Sequence, residues 1–242
     1  MRDLLIEYEM YLLDKIECVP EYHFRDVGKL SIEQTVASLI KYVTENIMHW
    51  TPEEAYHSLT WKILIDFKLD DIIEKNIEFM PGMNEKEKCN YLIHKCYPAK
   101  FRFDFKRCVL RIYGDILSEK KPKWNKKFFN GQEGAIRACI CMQAAINRYL
   151  YGLSIEELYS YFGNNYQGIK FIKAVKLKKA YEKLYNLPID FFHYSLPKNQ
   201  RNDFLFNYYH FMNYYEQENK THTNKNMQKG AIDDPITKKS NI

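Results

Sequence analysis

The stretch "GLSIEELYSYFG" (residues 152–163) predicts a capped α-helix. Ser154 takes the N-cap position and Glu157 the third helical position, so each side chain accepts a hydrogen bond from the other residue's backbone N–H. Two further stretches begin with the same pattern, "SIEQ" at residues 31–34 and "TPEE" at residues 51–54. These three capping boxes favour an all-α fold.

The composition agrees with a helical protein. The chain of 242 residues contains only nine glycines and eight prolines, and its apolar residues recur mostly with a helical period. No apolar run reaches the roughly 18 residues that cross a bilayer, so we expect no membrane association. The first 17 residues place acidic side chains among apolar ones, which is typical of an amphipathic helix rather than a signal peptide. The six cysteines are irregularly spaced, which indicates free thiols in the cytoplasm.

The charges divide the chain into an acidic and a basic part. Residues 1–86 hold 9 Lys/Arg and 17 Asp/Glu, residues 95–129 hold 11 and 3, and residues 131–215 hold 10 and 6. This asymmetry indicates a polyanionic partner for the second part. The alternative is that the two parts attract each other, within one molecule or between subunits.

An internal duplication is predicted by two alignments. With Thr51 placed on Ser154, "LIKYVTENIMHWTPEEAYHSL" (39–59) lies over "MQAAINRYLYGLSIEELYSYF" (142–162) without a gap. A second block pairs "KCYPAKFRFDF" (95–105) with "KAYEKLYNLPIDFF" (179–192). We therefore expect two degenerate multi-helix repeat units with helix-turn-helix-like elements.

The predicted organisation has five parts. It comprises an N-terminal helical segment (1–30), helical unit one (31–117), an exposed basic linker (118–130), helical unit two (131–215) and a disordered tail (216–242). The tail is assigned because it has few large apolar residues.

The first unit resembles an uncharacterised helical repeat family of Firmicute chromosomes and mobile elements, a domain of unknown function. That repeat ends near "AYPGKFKPWEF", and residues 96–105 here are "CYPAKFRFDF", which lacks its glycine and its Pro-Trp pair. The second unit keeps only Ala180-Tyr181 and Asp190-Phe191 of the motif. The family has no established activity to transfer. Its layout is similar to the helical repeats that accompany homing endonucleases, and this resemblance implies DNA as a partner.

A lysine-rich helix is predicted within "NNYQGIKFIKAVKLKKAYEKLYN" (164–186). On a helical wheel, one face carries Lys173, Lys176, Lys179 and Lys183, and the other is apolar. This pattern is typical of a helix that packs by its apolar face and binds phosphates with its lysines. Asn165 and Gln167, near its start, are expected to reach base edges or phosphates. An ordinary solvated lysine face is the alternative.

A second basic region is interleaved with aromatic residues. Its candidate nucleic-acid contacts are Arg102, Lys106, Arg107, Lys121, Lys123 and Trp124. Aromatic rings stack on the bases of single strands while cations follow the backbone. Most of these aromatics are expected in the core, and Trp124 in the linker is the expected exception.

Sites for catalysis or metal binding are poorly supported by the sequence. Cys89, His94, Cys96 and Cys108 match no common zinc spacing, and the carboxylates of "IDFKLDD" (65–71) are explained by a charged helix face. Phosphate-binding, dinucleotide-binding and nucleophile motifs are absent from the sequence. We therefore expect a non-enzymatic DNA-binding accessory or regulatory protein without a cofactor. The alternative is a structural or protein-interaction module whose acidic half docks a basic partner or another copy of the chain.

Overall fold

The computed structural model describes residues 2–25 and 31–213. These residues form helices, turns and loops without a strand, which confirms the predicted all-α class. The chain divides into two compact units, Met1–Ile112 and Tyr113–Ile242. None of the helices among the described residues is both long and apolar enough to cross a membrane.

The first unit is built around one central helix. The elements in chain order are α1 (Arg2–Leu12), a 3-10 turn (Glu21–Phe24), α2 (Ile32–Lys41), α3 (Pro52–Ser58), α4 (Trp61–Asp66), α5 (Asp70–Asn76), α6 (Glu85–Cys96) and the start of α7 (Phe105–Leu117). A π-helical turn, Tyr42–Ile47, continues α2. The buried side chains Val36, Leu39 and Ile40 of α2 lie in a core with α5 and α6, which α2 contacts directly.

The second unit is also a series of helices. After the end of α7 come α8 (Gly131–Tyr149), α9 (Ile155–Gly163), α10 (Asn165–Ala174), α11 (Lys178–Leu184), α12 (Pro188–Ser195), a 3-10 turn (Lys198–Gln200) and α13 (203–213). The aromatic side chains of Tyr159, Phe162, Phe191 and Phe192 are fully buried where α8, α9, α10 and α12 pack together.

The three predicted capping boxes are confirmed at Ser31, Thr51 and Ser154. A fourth box, which the sequence analysis missed, starts α6: Asn84 Oδ1 accepts from Glu87 N (2.9 Å) and Glu87 Oε2 accepts from Asn84 N (3.0 Å). Its signal was available in "NEKE" (84–87), because asparagine caps helices as well as serine does.

The same turn joins two short helices in each unit. Between α4 and α5, Lys68 has φ +52°, and between α10 and α11, Lys176 has φ +59°. In both turns the backbone makes the paired hydrogen bonds of a Schellman motif, which ends a helix with a left-handed residue that is usually glycine. The segments 61–77 and 169–185 therefore correspond residue by residue.

Each turn is held by the helix that opens its unit. The Tyr8 hydroxyl of α1 donates to the backbone oxygen of Phe67 (2.7 Å), and the Tyr113 hydroxyl of α7 donates to that of Val175 (2.9 Å). An acidic residue two positions after each of these helices pairs with the turn lysine. The pairs are Asp14 with Lys68 (2.5 Å) and Glu119 with Lys176 (2.6 Å), and both acidic residues have positive φ.

These contacts change the predicted boundaries. The α1 helix belongs to the first unit rather than to a separate segment 1–30, and the unit boundary falls inside α7 rather than at residue 117. The pairing of 95–105 with 179–192 is wrong, because it joins α6 and α7 to α11 and α12, which stand at different places in the helix order. The duplication itself stays a prediction, and the tail 216–242 lies outside the described residues.

The residue two positions before the N-caps of α3 and α9 adopts a left-handed conformation. His49, before Thr51, has φ +57°, and Gly152, before Ser154, has φ +91°. The positive φ before the N-cap is thus adopted by a histidine in the first unit and by a glycine in the second.

Candidate nucleic-acid interface

Residues 118–130 belong to the second unit and pack on it through their aromatic side chains, while most of their other residues are exposed as the sequence predicted. Trp124 Nε1 donates to the backbone oxygen of Lys176 (2.7 Å), and its ring stacks on Tyr113 with the centroids 5.8 Å apart. The rings of Phe128 and Phe129 contact Trp124 and are fully buried. The half-buried ring of Trp124 thus packs in this aromatic cluster, and its stacking on nucleic-acid bases stays a prediction.

A buried arginine fixes the end of this segment to α8. Arg137 is 3% exposed, and its Nε donates to the backbone oxygen of Phe128 (2.7 Å). Its Nη1 pairs with Glu133 (2.9 Å), and the guanidinium lies 5.4 Å from the centroid of the Phe128 ring. The charge of Arg137 is thus compensated within the fold, and the segment that leads to it is held in place.

The predicted lysine helix is broken, so the four lysines do not share one helical face. Lys173 is on α10, Lys176 lies in the turn, and Lys179 and Lys183 are on α11. The helical wheel failed because "KAVKLKKA" (173–180) contains neither glycine nor proline at the break. The sequence signal for this break was the similarity of "VKLK" (175–178) to "FKLD" (67–70), which forms the equivalent turn in the first unit.

Three of these lysines contact residues 118–130. Lys176 Nζ pairs with Glu119 Oε1 (2.6 Å), Lys179 Nζ donates to the backbone oxygen of Asn125 (3.2 Å), and Lys183 Nζ donates to Asn130 Oδ1. The side chain of Lys173 is exposed and has no polar partner among the described residues. The structure thus brings the two predicted lysine groups of the second unit side by side.

We call these adjoining lysines the lysine face. Its members are Lys120, Lys121, Lys123, Lys126, Lys127, Lys173, Lys176, Lys178, Lys179 and Lys183, of which Lys121, Lys176 and Lys179 are half-buried and the others exposed. Lys178, for which the sequence predicted no role, starts α11 beside Lys179.

The other predicted contact residues lie elsewhere. Asn165 and Gln167 are at the opposite end of α10 from Lys173; Asn165 is half-buried and Gln167 is exposed. Arg102, Lys106 and Arg107 are exposed residues of the first unit, at and just before the start of α7. The structure therefore joins only the lysines of the second unit into one surface.

Two of the four candidate metal ligands are hydrogen-bonded to backbone oxygens. His94 Nδ1 is hydrogen-bonded to the backbone oxygen of Phe101 (2.8 Å), and Cys96 Sγ donates to that of Ala37 (3.5 Å). Burial raises the pKa of the Cys89 thiol to about 11 and that of Cys96 to about 12. Within residues 2–25 and 31–213, no cluster of three or more His, Cys, Asp or Glu side chains is arranged to hold a metal ion.

The composition of the lysine face determines its electrostatic character. Residues 118–130 contain five lysines and one glutamate, and residues 165–184 contain six lysines and one glutamate. A surface with this excess of one charge attracts polyanions. Comparisons with protein-family models, with curated proteins and with solved structures find no match to this chain.

Proposed function

We propose that the protein is a non-enzymatic nucleic-acid-binding accessory or regulatory protein of the cytoplasm, and that it binds DNA through the lysine face. The observation that carries this proposal is the packing of residues 118–130 on the α10–α11 turn, because it joins two lysine-rich segments. Lysines that neutralise phosphates release condensed counterions, so the binding is expected to weaken steeply with salt.

The charge of this face is not required by the fold. The equivalent turn of the first unit has Asp70 and Asp71 where the second unit has Lys178 and Lys179, and both turns make the same backbone hydrogen bonds. Since one backbone forms with either charge, the turn does not require lysine at these two positions, although Lys178 pairs with Glu182 (3.3 Å) and Lys179 donates to the backbone oxygen of Asn125. The resemblance to repeats that accompany homing endonucleases supports DNA as the polyanion, by analogy of layout.

The test is fluorescence anisotropy with labelled duplex and single-stranded DNA at several salt concentrations. The K178D/K179D variant copies the Asp70–Asp71 pair, so we expect the turn to fold. The lysine face then has two fewer positive charges and two new negative charges. The K62D/K75D variant is the matched control, because it makes the same charge change on exposed lysines of α4 and α5. We expect K178D/K179D to weaken binding about tenfold and to lower the salt slope by about two, whereas the control changes affinity less than about twofold.

Two results would contradict this proposal. One is the absence of binding to either DNA form at low salt. The other is an equal loss of affinity in K178D/K179D and K62D/K75D, because net charge alone would then explain it.

A protein-interaction module is the second candidate, and the charge reversal itself favours it. One unit presents an acidic pair where the other presents a basic pair, so two copies of the chain carry complementary surfaces. Analytical ultracentrifugation at low and high salt distinguishes the candidates. Salt-sensitive self-association without DNA supports the module, whereas a monomer at all salt concentrations leaves the self-docking form without support.

A further inference from the structure

The first unit contains a cleft between the start of α6 and the start of α7. Its volume is about 460 Å³, which is in the range of small-molecule sites. Its lining combines aromatic, amide and cationic side chains, among them Tyr56, Phe103, Asn90, Lys86, Arg102 and Arg107.

Both carboxylates that line the cleft are already engaged by the protein. Glu87 accepts from Arg111, with its two oxygens 2.5 and 2.6 Å from the guanidinium nitrogens, while Arg111 also donates to the backbone oxygen of Gly82 (2.9 Å). Asp104 Oδ1 accepts from the backbone N–H of Arg107 (2.9 Å) and so caps α7. Glu87 is thus paired with Arg111, whereas Asp104 forms no ion pair with any described residue and offsets one of the remaining positive charges of the cleft.

Three cations at the cleft have no ion-pair partner in the described part of the chain, and the lining as a whole carries four cations against two carboxylates, a net charge of +2. Among the described residues, the side chains of Lys86, Arg102 and Arg107 make no ion pair and no hydrogen bond, and all three are exposed. Like charges drawn together without a counter-charge repel each other, and an anion in the cleft removes that repulsion.

The arginines are not needed for the cap of α7, because the second unit makes the same cap hydrogen bond without them. Asn202 Oδ1 accepts from Leu205 N at the start of α13 (3.1 Å), as Asp104 does from Arg107 N at the start of α7. At the positions of Arg102 and Arg107 the second unit has Gln200 and Leu205.

We propose that this cleft binds a phosphate group. Guanidinium groups form paired, charge-assisted hydrogen bonds to phosphate oxygens, and Arg102 and Arg107 supply two of them. Lys86 adds a third positive charge, Asn90 an amide, and the rings of Tyr56 and Phe103 an apolar wall for the organic part of the ligand. The phosphate belongs either to a free nucleoside monophosphate or to the backbone of a nucleic acid. This site lies in the first unit and is separate from the lysine face.

Isothermal titration calorimetry on the full chain tests the cleft with three probes. They are inorganic phosphate, a nucleoside monophosphate, and a thymidylate hexamer without terminal phosphates. The R102Q and R107Q variants are each expected to weaken binding about tenfold, because each removes charge-assisted hydrogen bonds. The matched control is K62Q, which removes an exposed cation of the first unit that does not line the cleft. We expect it to leave affinity within about twofold, and thermal melts check that every variant is folded.

The probes also identify the source of the phosphate. Arginine-dependent binding of the monophosphate but not of the hexamer supports a free ligand, and arginine-dependent binding of the hexamer supports a nucleic-acid backbone. The proposal is overturned if none of the three probes binds, or if R102Q/R107Q binds them as the unchanged protein does. The K178D/K179D variant is expected to bind the monophosphate as the unchanged protein does. The cleft and the lysine face are therefore tested by different variants, and either proposal can be contradicted without the other.

Discussion

The hydroxyl of Tyr113 donates a 2.9 Å hydrogen bond to the backbone oxygen of Val175, and both residues are buried. Burial also raises the pKa of Tyr113, so the group stays a neutral donor. This bond holds the turn of the second unit as Tyr8 and Phe67 hold that of the first.

Y113F is expected to lower the free energy of unfolding by about 1–3 kcal/mol, because it leaves the Val175 oxygen buried without its donor. Urea unfolding measures the change. Y208F alters a half-exposed ring on α13 and serves as the control, with an expected change below about 0.5 kcal/mol. Equal small changes in both variants would show that the Tyr113 bond contributes no stability.

Two helical glycines are expected to respond oppositely to alanine. A Cβ on Gly134 would stand 2.3 Å from the backbone carbon of Phe129, whereas one on Gly114 meets nothing within 4 Å. Alanine favours a helix over glycine by about 1 kcal/mol, so G114A should raise the melting temperature. G134A should lower the melting temperature, because the backbone of Phe129 cannot move away from the new Cβ as a flexible side chain could. A melting temperature that rises in both variants would contradict the close approach of α8 to Phe129.

Removal of Glu119 is expected to strengthen DNA binding with little effect on the fold. E119Q frees Lys176 and removes an acidic group beside the lysine face, so affinity should rise about twofold to threefold at low salt. The exposed pair contributes little to stability, about 0–1 kcal/mol. D14N releases the equivalent Lys68 and is the control in anisotropy measurements, with no expected change. If E119Q leaves DNA affinity unchanged, Lys176 does not contact the nucleic acid.

Acidification is expected to destabilise the protein through His193. Desolvation by burial and the charge of Arg201 lower the pKa of this histidine. The Tyr159 hydroxyl accepts from the backbone N–H of Asn202, which directs its own proton to His193 Nδ1 at 2.8 Å. The folded state therefore prefers the neutral ring.

Because the unfolded chain protonates His193 near the ordinary value of 6.5, stability is retained above that pH and is lost as the pH falls below it. Melting temperatures between pH 7.5 and 5.5 should fall more steeply for the unchanged protein than for H193Q. Parallel curves would exclude His193 as the responsible group.

The local signals of the sequence predicted single helices well and their arrangement less well. Ser31, Thr51 and Ser154 cap their helices because a capping box is completed within four residues of chain. The break at Lys176 depends instead on distant contacts, since Tyr113 and Trp124 donate to backbone oxygens of a turn that helix propensity alone disfavours.

The sequence predicted the individual lysines of the candidate site, but not that they would lie side by side on one surface. The lysines of residues 173–183 and the lysines of residues 121–123 were both selected by charge, and nothing local indicates that Trp124 donates to the oxygen of Lys176, 52 residues away. The cleft at Arg102 and Arg107 likewise depends on α6, whose Lys86 and Asn90 are separated from them in sequence.

The left-handed residues before the N-caps of α3 and α9, His49 and Gly152, have a consequence for protein engineering. A residue with a side chain at such a position loses about 1 kcal/mol relative to glycine. The second unit already has Gly152 there, whereas the first has the exposed His49. Gly152 thus indicates which residue suits the equivalent position of the first unit, and H49G is expected to raise the thermal stability of the protein.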